Sequence, residues 1–249
     1  MKLLVAGWKS VSLVDVQGHP VFTLWLCGCN LKCPFCHNWR LAERDPNICK
    51  YADVSTIVEE AEASKALVDY FHVTGGEPLI QYSALEHLLK EVRKIGLLTS
   101  LNSNLTIYRL LERLVEQNLI DHVATDLKIP PEELYGLPIE VSKKLWIEFL
   151  KSLALLKRYG IPLELRIPLH KDLTLDVFAS YFKHVEEYLD RGRTVIILNQ
   201  LIGKPLTTPR SPEWVNVRSK VSDEQIRQLA SILKTYGFSK IYVRSIQGF

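Results

Sequence analysis

The chain has 249 residues, of which 47% are apolar and 24% charged, and its formal net charge is +3 at pH 7. That length holds one large domain or two small ones, and the apolar share excludes a disordered chain. A charge so small gives no reason to expect nucleic acid or an anionic membrane surface as a partner.

Charged residues interrupt every apolar run well before the length a bilayer needs. The apolar stretch between Met1 and Lys9 is too short for a signal peptide. The expectation is a soluble, cytoplasmic protein with neither a membrane nor a nucleic acid among its partners.

The first β-type run, Val21–Leu26, leads straight into four of the five cysteines: Cys27, Cys29, Cys33 and Cys36, with Cys49 further on. Helical spacing follows over Val54–Leu67, then a β-type run at Tyr70–Thr74 that opens into Gly75-Gly76-Glu77-Pro78. Ser83 with Glu86 reads as a capping box for a helix running to Ile95 and stopped by Gly96. Strand Leu97–Asn102 runs into Ser103-Asn104, a helix spans Thr106–Gln117, and strand His122–Lys128 contains Asp126-Leu127-Lys128. The longest helix, Ser142–Tyr159, ends at Gly160 with Pro162 just beyond. Strand Leu163–Ile167 carries Arg166, helix Leu175–Leu189 follows, and strand Thr194–Leu198 leads to Asn199-Gln200. The stretch Ile202–Lys220, with Pro205, Pro209 and Pro212, reads as a long ordered loop or lid. Ser222 with Gln225 caps a helix ending at Gly237, and Lys240–Arg244 reads as a short edge strand.

Runs apolar on both faces, alternating with amphipathic helices, are the pattern of βα units on a parallel sheet. Six such units predict an α/β fold, either an incomplete barrel or an open doubly wound sheet. Active sites in these architectures collect at the C-terminal ends of the strands, and polar residues stand at that end of every predicted strand.

An odd, crowded set of cysteines points to metal or cluster chemistry rather than a disulfide framework. Cys29, Cys33 and Cys36 can converge on one iron–sulfur cube and leave one iron open. Zinc held by Cys29, Cys33, Cys36 and His37 is a second reading, and a redox pair at Cys33 and Cys36 a third. Cys27 reads as a small buried strand residue and Cys49 as a bystander. Gly75-Gly76 is compatible with an ordinary βα turn, and Glu77 with a helix dipole. Arg166 lies in the apolar run Leu163–Leu169, where an unpaired charge is costly, so an inward-facing anion is expected beside it. The five tryptophans follow no ligand pattern and receive no role.

Cys29-x-x-x-Cys33-x-x-Cys36, with Phe35 before the last cysteine and Gly75-Gly76-Glu77-Pro78 after the next strand, resembles the signature of the radical S-adenosylmethionine (SAM) superfamily. The resemblance covers residues 15 to about 200. It implies a partial (β/α)6 barrel forming a single domain over residues 1–249, with a loop, helix and strand added over 201–249. It also implies a [4Fe–4S] cluster on Cys29, Cys33 and Cys36, with SAM on the open iron. Gly75, Gly76 and Glu77 would bind the SAM amino group, and reductive cleavage would yield a 5′-deoxyadenosyl radical.

Within that superfamily the chain most resembles activating enzymes of glycyl radical enzymes, such as those of pyruvate formate-lyase and anaerobic ribonucleotide reductase. Asp15-Val16-Gln17-Gly18 is similar to their Asp-Gly-Pro-Gly, and Cys36-His37-Asn38 matches their Cys-His-Asn. Asn102-Ser103-Asn104 stands at their Asp-Thr-Asn-Gly, and Asp126-Leu127-Lys128 matches their Asp-Leu-Lys. The likeness makes Asp15 and Lys128 catalytic candidates. It pairs Lys128 and Arg166 with the SAM carboxylate and sets Asn102, Ser103 and Asp126 on the sulfonium side. Phe35 would pack against adenine or the cluster, His37 and Asn38 would touch adenine or cap the loop, and Gln200 would stand near the ribose. Reduced flavodoxin or ferredoxin is the implied electron donor and a glycyl radical enzyme the implied partner. Asn102 in place of the acid, Leu105 in place of Gly, and Val16-Gln17 in place of Gly-Pro bear on the substrate more than on SAM chemistry. Two other functions compete: a radical SAM enzyme modifying a small molecule or nucleotide, such as a deazapurine-forming synthase, and a non-enzymatic zinc-stabilised binding module.

Overall fold

The computed structural model describes residues 1–203 and 206–244. The chain divides into two compact units: residues 1–30 with 38–124, and residues 31–37 with 125 onward.

The first unit contains, in chain order, β1 (Lys2–Val16), β2 (His19–Leu26), α1 (Trp39–Ala42), β3 (Lys50–Asp53), α2 (Val54–Ser64), β4 (Tyr70–Gly75), α3 (Tyr82–Lys94), β5 (Leu98–Asn102), α4 (Tyr108–Glu116) and most of β6 (His122–Asp126). Its strands lie in the order β3-β1-β2-β4-β5-β6. β2, β4, β5 and β6 run parallel, while β1 pairs antiparallel with both β2 and β3. Phe22, Leu24, Phe71, Val73, Leu101 and Val123 are fully buried beside Ile57, Leu85, Leu88 and Leu111 of the helices. Buried polar side chains also occur on the strands. The rings of His72 and His122 each approach Ser100 Oγ at 2.8 Å. One hydroxyl carries one proton, so it donates to at most one of the two rings.

Strands β1 and β3 are among the elements that sequence patterning misses. Three register shifts break the pairing of β1 with β2, and the first two, each of one residue, flip the alternation of faces on which a strand is recognised. The capping box expected at Ser83 does not form. A 3₁₀ turn over Pro78–Gln81 runs directly into α3, which places Ser83 inside the helix. At Ser222 the expected cap is present, its Oγ accepting from Gln225 N at 3.1 Å.

Cys27 and Cys49 form a disulfide. This corrects the reading of Cys27 as an unpaired core residue and Cys49 as a bystander. The bridge packs with Leu41 against Leu4, Ala6 and Trp25, so it fastens the 38–49 segment to the end of β2. Closing a loop of sequence separation 22 stabilises a fold by roughly 3 kcal/mol. Dithiothreitol, or Cys49→Ser, is expected to lower the melting temperature by several degrees; an unchanged melting curve would remove this structural role.

The second unit contains α5 (Pro131–Leu134), α6 (Ile139–Tyr159), β7 (Leu163–Leu169), α7 (Leu175–Phe182), β8 (Thr194–Gln200), α8 (Pro212–Arg218), α9 (Asp223–Thr235) and β9 (Ile241–Arg244). β7, β8 and β9 run parallel in that order. Part of the expected loop at Ile202–Lys220 is helix: α8 begins with Pro212 and is capped by Ser211, whose Oγ accepts from Trp214 N. Lys204 and Pro205 of that stretch lie outside the described residues. No helix among the described residues is long and apolar enough to cross a membrane.

Tyr181 on α7 donates to Glu132 Oε2 on α5 at 3.0 Å. Burial, and then the Glu132 carboxylate, push its phenol up to about 12. A folded pKa above the unfolded value means that this contribution to stability is complete below about pH 10 and fades as pH rises through about 12. The difference between spectrophotometric titrations of the wild-type protein and Tyr181→Phe is expected to show one phenol ionising near 12 rather than 10.

Candidate functional site

The site begins where β2 ends. In the first unit, the backbone at Gly28-Cys29 lies against the Gly-Gly-Glu turn that follows β4. Gly76 N donates to Leu26 O at 3.0 Å and Glu77 N to Gly28 O at 2.8 Å. Gly75 has φ +124°, and a Cβ there would stand 2.1 Å from Leu26 O. A Cβ on Gly76 would stand 2.0 Å from Gly28 O. Backbone approach therefore requires both glycines, whatever else the turn binds.

Glu77 is fully buried. Its carboxylate accepts from Leu79 N at 3.1 Å, Ser103 Oγ at 2.9 Å and Asn104 N at 2.7 Å. Its visible work is to organise the turn after β5, in which Asn104 Nδ2 reaches Asn30 Oδ1 at 2.7 Å and Cys29 Sγ at 3.9 Å. Asn102, at the end of β5, donates to Thr74 Oγ1 at 2.9 Å. Gly75, Gly76, Glu77, Asn102 and Ser103 thus gather with Cys29. Asn38 is half-buried at the N-cap position of α1, and its side chain caps nothing. Asp15 lies near the far end of the β1–β2 hairpin and accepts from Thr23 Oγ1 at 2.8 Å, so it is not part of this gathering.

In the second unit, Leu31–His37 carries Cys33, which is buried, and Phe35 and Cys36, which are half-buried. Lys32 N donates to Tyr135 O, Ser211 N to Pro34 O and Arg210 N to Cys36 O, each at 2.9 Å. A Cβ on Gly136 would meet Lys32 O at 2.1 Å. Burial, together with the nearby Cys33 and Glu132, drives the Tyr135 phenol far above its ordinary pKa.

The charged candidates form pairs two residues apart: Glu164 and Arg166 share one face of β7, and Lys128 lies just beyond the end of β6 at Asp126. Lys128 Nζ lies 3.0 Å from Asp126 Oδ2. Arg166 Nε lies 2.6 Å from Glu164 Oε1, with Arg244 Nη2 of β9 3.8 Å from the same oxygen. Leu127 N donates to Arg166 O at 2.7 Å. The anion expected beside Arg166 is thus supplied by the chain itself, as Glu164. Burial works against the Asp126 charge, but Lys128 and Arg166 outweigh it and hold the carboxyl below its usual pKa. Gln200 closes β8, half-buried.

Tyr135, Asn104, Glu164 and Trp214 escaped the residue-by-residue reading. Asn104 carried a signal, since it stands inside the motif already quoted. The other three act through contacts with residues distant in sequence or through pairing that only strand register defines. His170, just beyond β7, is fully buried. Its Nε2 donates to Ile129 O at 3.1 Å, and its Nδ1 has no hydrogen-bond partner among the described residues.

A family model, the radical SAM superfamily, matches residues 24–185, more than half of the chain. The protein belongs to that superfamily, whose members use a [4Fe–4S] cluster and S-adenosylmethionine. A protein of Methanocaldococcus jannaschii named for glycyl-radical enzyme activation is 29% identical over 128 residues, 51% of each chain. A 7-carboxy-7-deazaguanine synthase of Hyperthermus butylicus is 36% identical over 100 residues, 36% of this chain and 39% of its own. The chain therefore spans about half or less of the length of these relatives. A radical SAM methyltransferase of Sphaerobacter thermophilus superposes with a TM-score of 0.64 at 16% identity, covering 94% of this chain and 68% of the other. That likeness shows the fold, the α/β partial barrel of radical SAM enzymes.

Proposed function

We propose that this protein is a radical SAM enzyme that activates a glycyl radical enzyme. Cys29, Cys33 and Cys36 would hold the cluster. The donor set fits: the disulfide removes Cys27 and Cys49 and leaves three thiols within one short loop, the number that keeps one iron of a cube open. Among the described residues no group of three Cys, His, Asp or Glu stands in ready metal-binding geometry, so this assignment rests on the motif and the family.

Bound together, the cluster and SAM supply reductive cleavage to methionine and a 5′-deoxyadenosyl radical. The chain's own residues hold, orient and shield that chemistry. Gly75 and Gly76 bring the turn against Gly28, and Glu77 fixes the turn whose Asn104 faces Cys29 Sγ. Lys128 and Arg166 would take the SAM carboxylate as a second anion beside Asp126 and Glu164. Asn102, Ser103 and Asp126 would stand on the sulfonium side. Phe35, Asn38 and Gln200 are assigned to adenine and ribose, and Asp15 to the approach of the substrate. The whole of residues 1–249 would act as one domain, in keeping with single solved structures that span most of it. A reduced flavodoxin or ferredoxin is the proposed electron donor.

Cys36-His37-Asn38 carries the choice of a protein glycine as substrate, together with the relative named for glycyl-radical enzyme activation. The similarity to a deazaguanine synthase favours the second reading, a small nitrogen heterocycle as substrate. Deuterium separates them. Incubation with a glycyl radical enzyme from the same proteome carrying α-dideuterated glycine should move deuterium into 5′-deoxyadenosine, and the glycyl radical doublet seen by electron paramagnetic resonance with unlabelled glycine should collapse to a single line in the labelled protein. Turnover with deazapurine precursors, and none with the protein, would replace activation by the second reading.

A further inference from the structure

Accepting Cys33 and Cys36 as cluster ligands, we propose that Trp214 is a positioning residue for the cysteine loop. Residues 31–37 contain neither helix nor strand, and a turn within them is closed by Cys36 N and Cys33 O at 3.2 Å. Ordering such a segment costs about 1–2 kcal/mol per residue. Two pieces of the second unit hold it. On one side, Tyr135 O at the end of α5 accepts from Lys32 N, and Gly136 permits the close approach. On the other, the N-terminal approach to α8 donates from Ser211 N and Arg210 N to Pro34 O and Cys36 O.

Trp214 joins the two. Its indole Nε1 donates to Glu133 Oε1 of α5 at 3.0 Å. Its ring lies 6.2 Å from that of Phe35, between the two cysteines, and 5.9 Å from that of His170. Arg218 covers the ring at 5.3 Å and ties back to Glu133 at 3.3 Å and Asp172 at 2.7 Å. A side chain with one donor, one acceptor partner and aromatic neighbours on two elements has few rotamers open to it. It therefore fixes α8 against α5 and with them the loop they hold. Pre-ordering the loop removes that entropy cost from cluster assembly.

The test is made first on metal-free protein, with pulses of iodoacetamide and mass mapping of each thiol. Trp214→Ala is expected to speed alkylation of Cys33 and Cys36 about tenfold, the effect of making local opening easier by ~1.4 kcal/mol. Cys29, held by the first unit, should keep its rate. Trp214→Phe, which keeps the ring and loses the donor, should give a smaller rise of about threefold. Glu133→Ala, which removes the acceptor of the same bond and leaves the ring, should give a rise of at least that size. After reconstitution, the cluster in Trp214→Ala should show a shifted midpoint potential and a broadened reduced-state resonance signal, both partly restored in Trp214→Phe. Wild-type alkylation rates in a folded variant would overturn the proposal, as would an equal rise at all three cysteines, which reports general loosening. If Trp214→Ala does not fold, unchanged rates in both Trp214→Phe and Glu133→Ala overturn it instead. Failure of the wild-type protein to bind a cluster would defeat the ligand assignment itself, and the alkylation rates, measured without metal, keep that failure separate.

Discussion

Cys33→Ala is expected to bind no stable [4Fe–4S] cluster and to form no detectable 5′-deoxyadenosine from SAM under dithionite. Cys33 is the buried member of the three thiols, with its neighbour Lys32 bonded to Tyr135 O and Gly136 packed against it. A loop held so closely cannot swing another donor into the vacant corner. The two remaining thiols cannot hold a cube that already leaves one iron to SAM. Cys27 and Cys49 cannot substitute while they remain bonded to each other. Anaerobic reconstitution followed by iron and sulfide analysis and chromatography of the nucleoside products measures this directly. Wild-type iron content and SAM cleavage in the variant would remove Cys33 from the ligand set. Zinc in place of iron in the wild-type protein would favour a structural metal.

Gly76→Ala is expected to lower the stability of the first unit sharply. Its Cβ would lie 2.0 Å from Gly28 O and 2.7 Å from the Gly28 carbonyl carbon. Both are backbone atoms, and Gly28 is itself bonded to Glu77 N, so neither side can yield as a flexible side chain would. Overpacking of a close-packed site typically costs 1–3 kcal/mol, and a backbone clash falls at or beyond the upper end of that range. A loss of about 3 kcal/mol lowers the melting temperature of a chain this size by roughly 10 °C. Gly192→Ala is the matched control. Its Cβ would meet only Asp190 Oδ1, at 3.4 Å, an ordinary contact, and its melting temperature should stay within about two degrees of wild type. Equal melting of both variants would show that the Gly-Gly turn is not held by backbone approach.

These two predictions rest on different layers of information. The cysteine spacing and the Gly-Gly-Glu turn are legible in the sequence because each is contiguous and each follows a β-type run at the end where α/β sites collect. Strands β2, β4, β5, β6, β7 and β8 and the longer helices are legible for the same reason: period and caps are local properties. Gly160 ends α6 with φ +64° as its place before Pro162 suggests, and Ser222 caps α9. What sequence patterning loses first is β1, where bulges break the alternation that would announce a strand.

The disulfide, the partner of Arg166 and the hold on the cysteine loop were decided only in three dimensions. Cys27 pairs with Cys49 because β2 and the 38–49 segment pack together, and spacing alone gave no sign that these two bond to each other. Glu164 neutralises Arg166 because alternate residues of a strand share a face, and the sequence offered no reason to prefer it over an external anion. Tyr135 and Trp214 reach Lys32 and Phe35 across long separations in the chain. Such contacts depend on where elements pack, whereas periodicity records only which face of an element is buried. By itself the sequence determined the family, the cysteine loop proposed to bind the cluster and the alternation of strands and helices. Tertiary packing decided that Cys27 and Cys49 pair with each other and which residues hold the 31–37 segment in place.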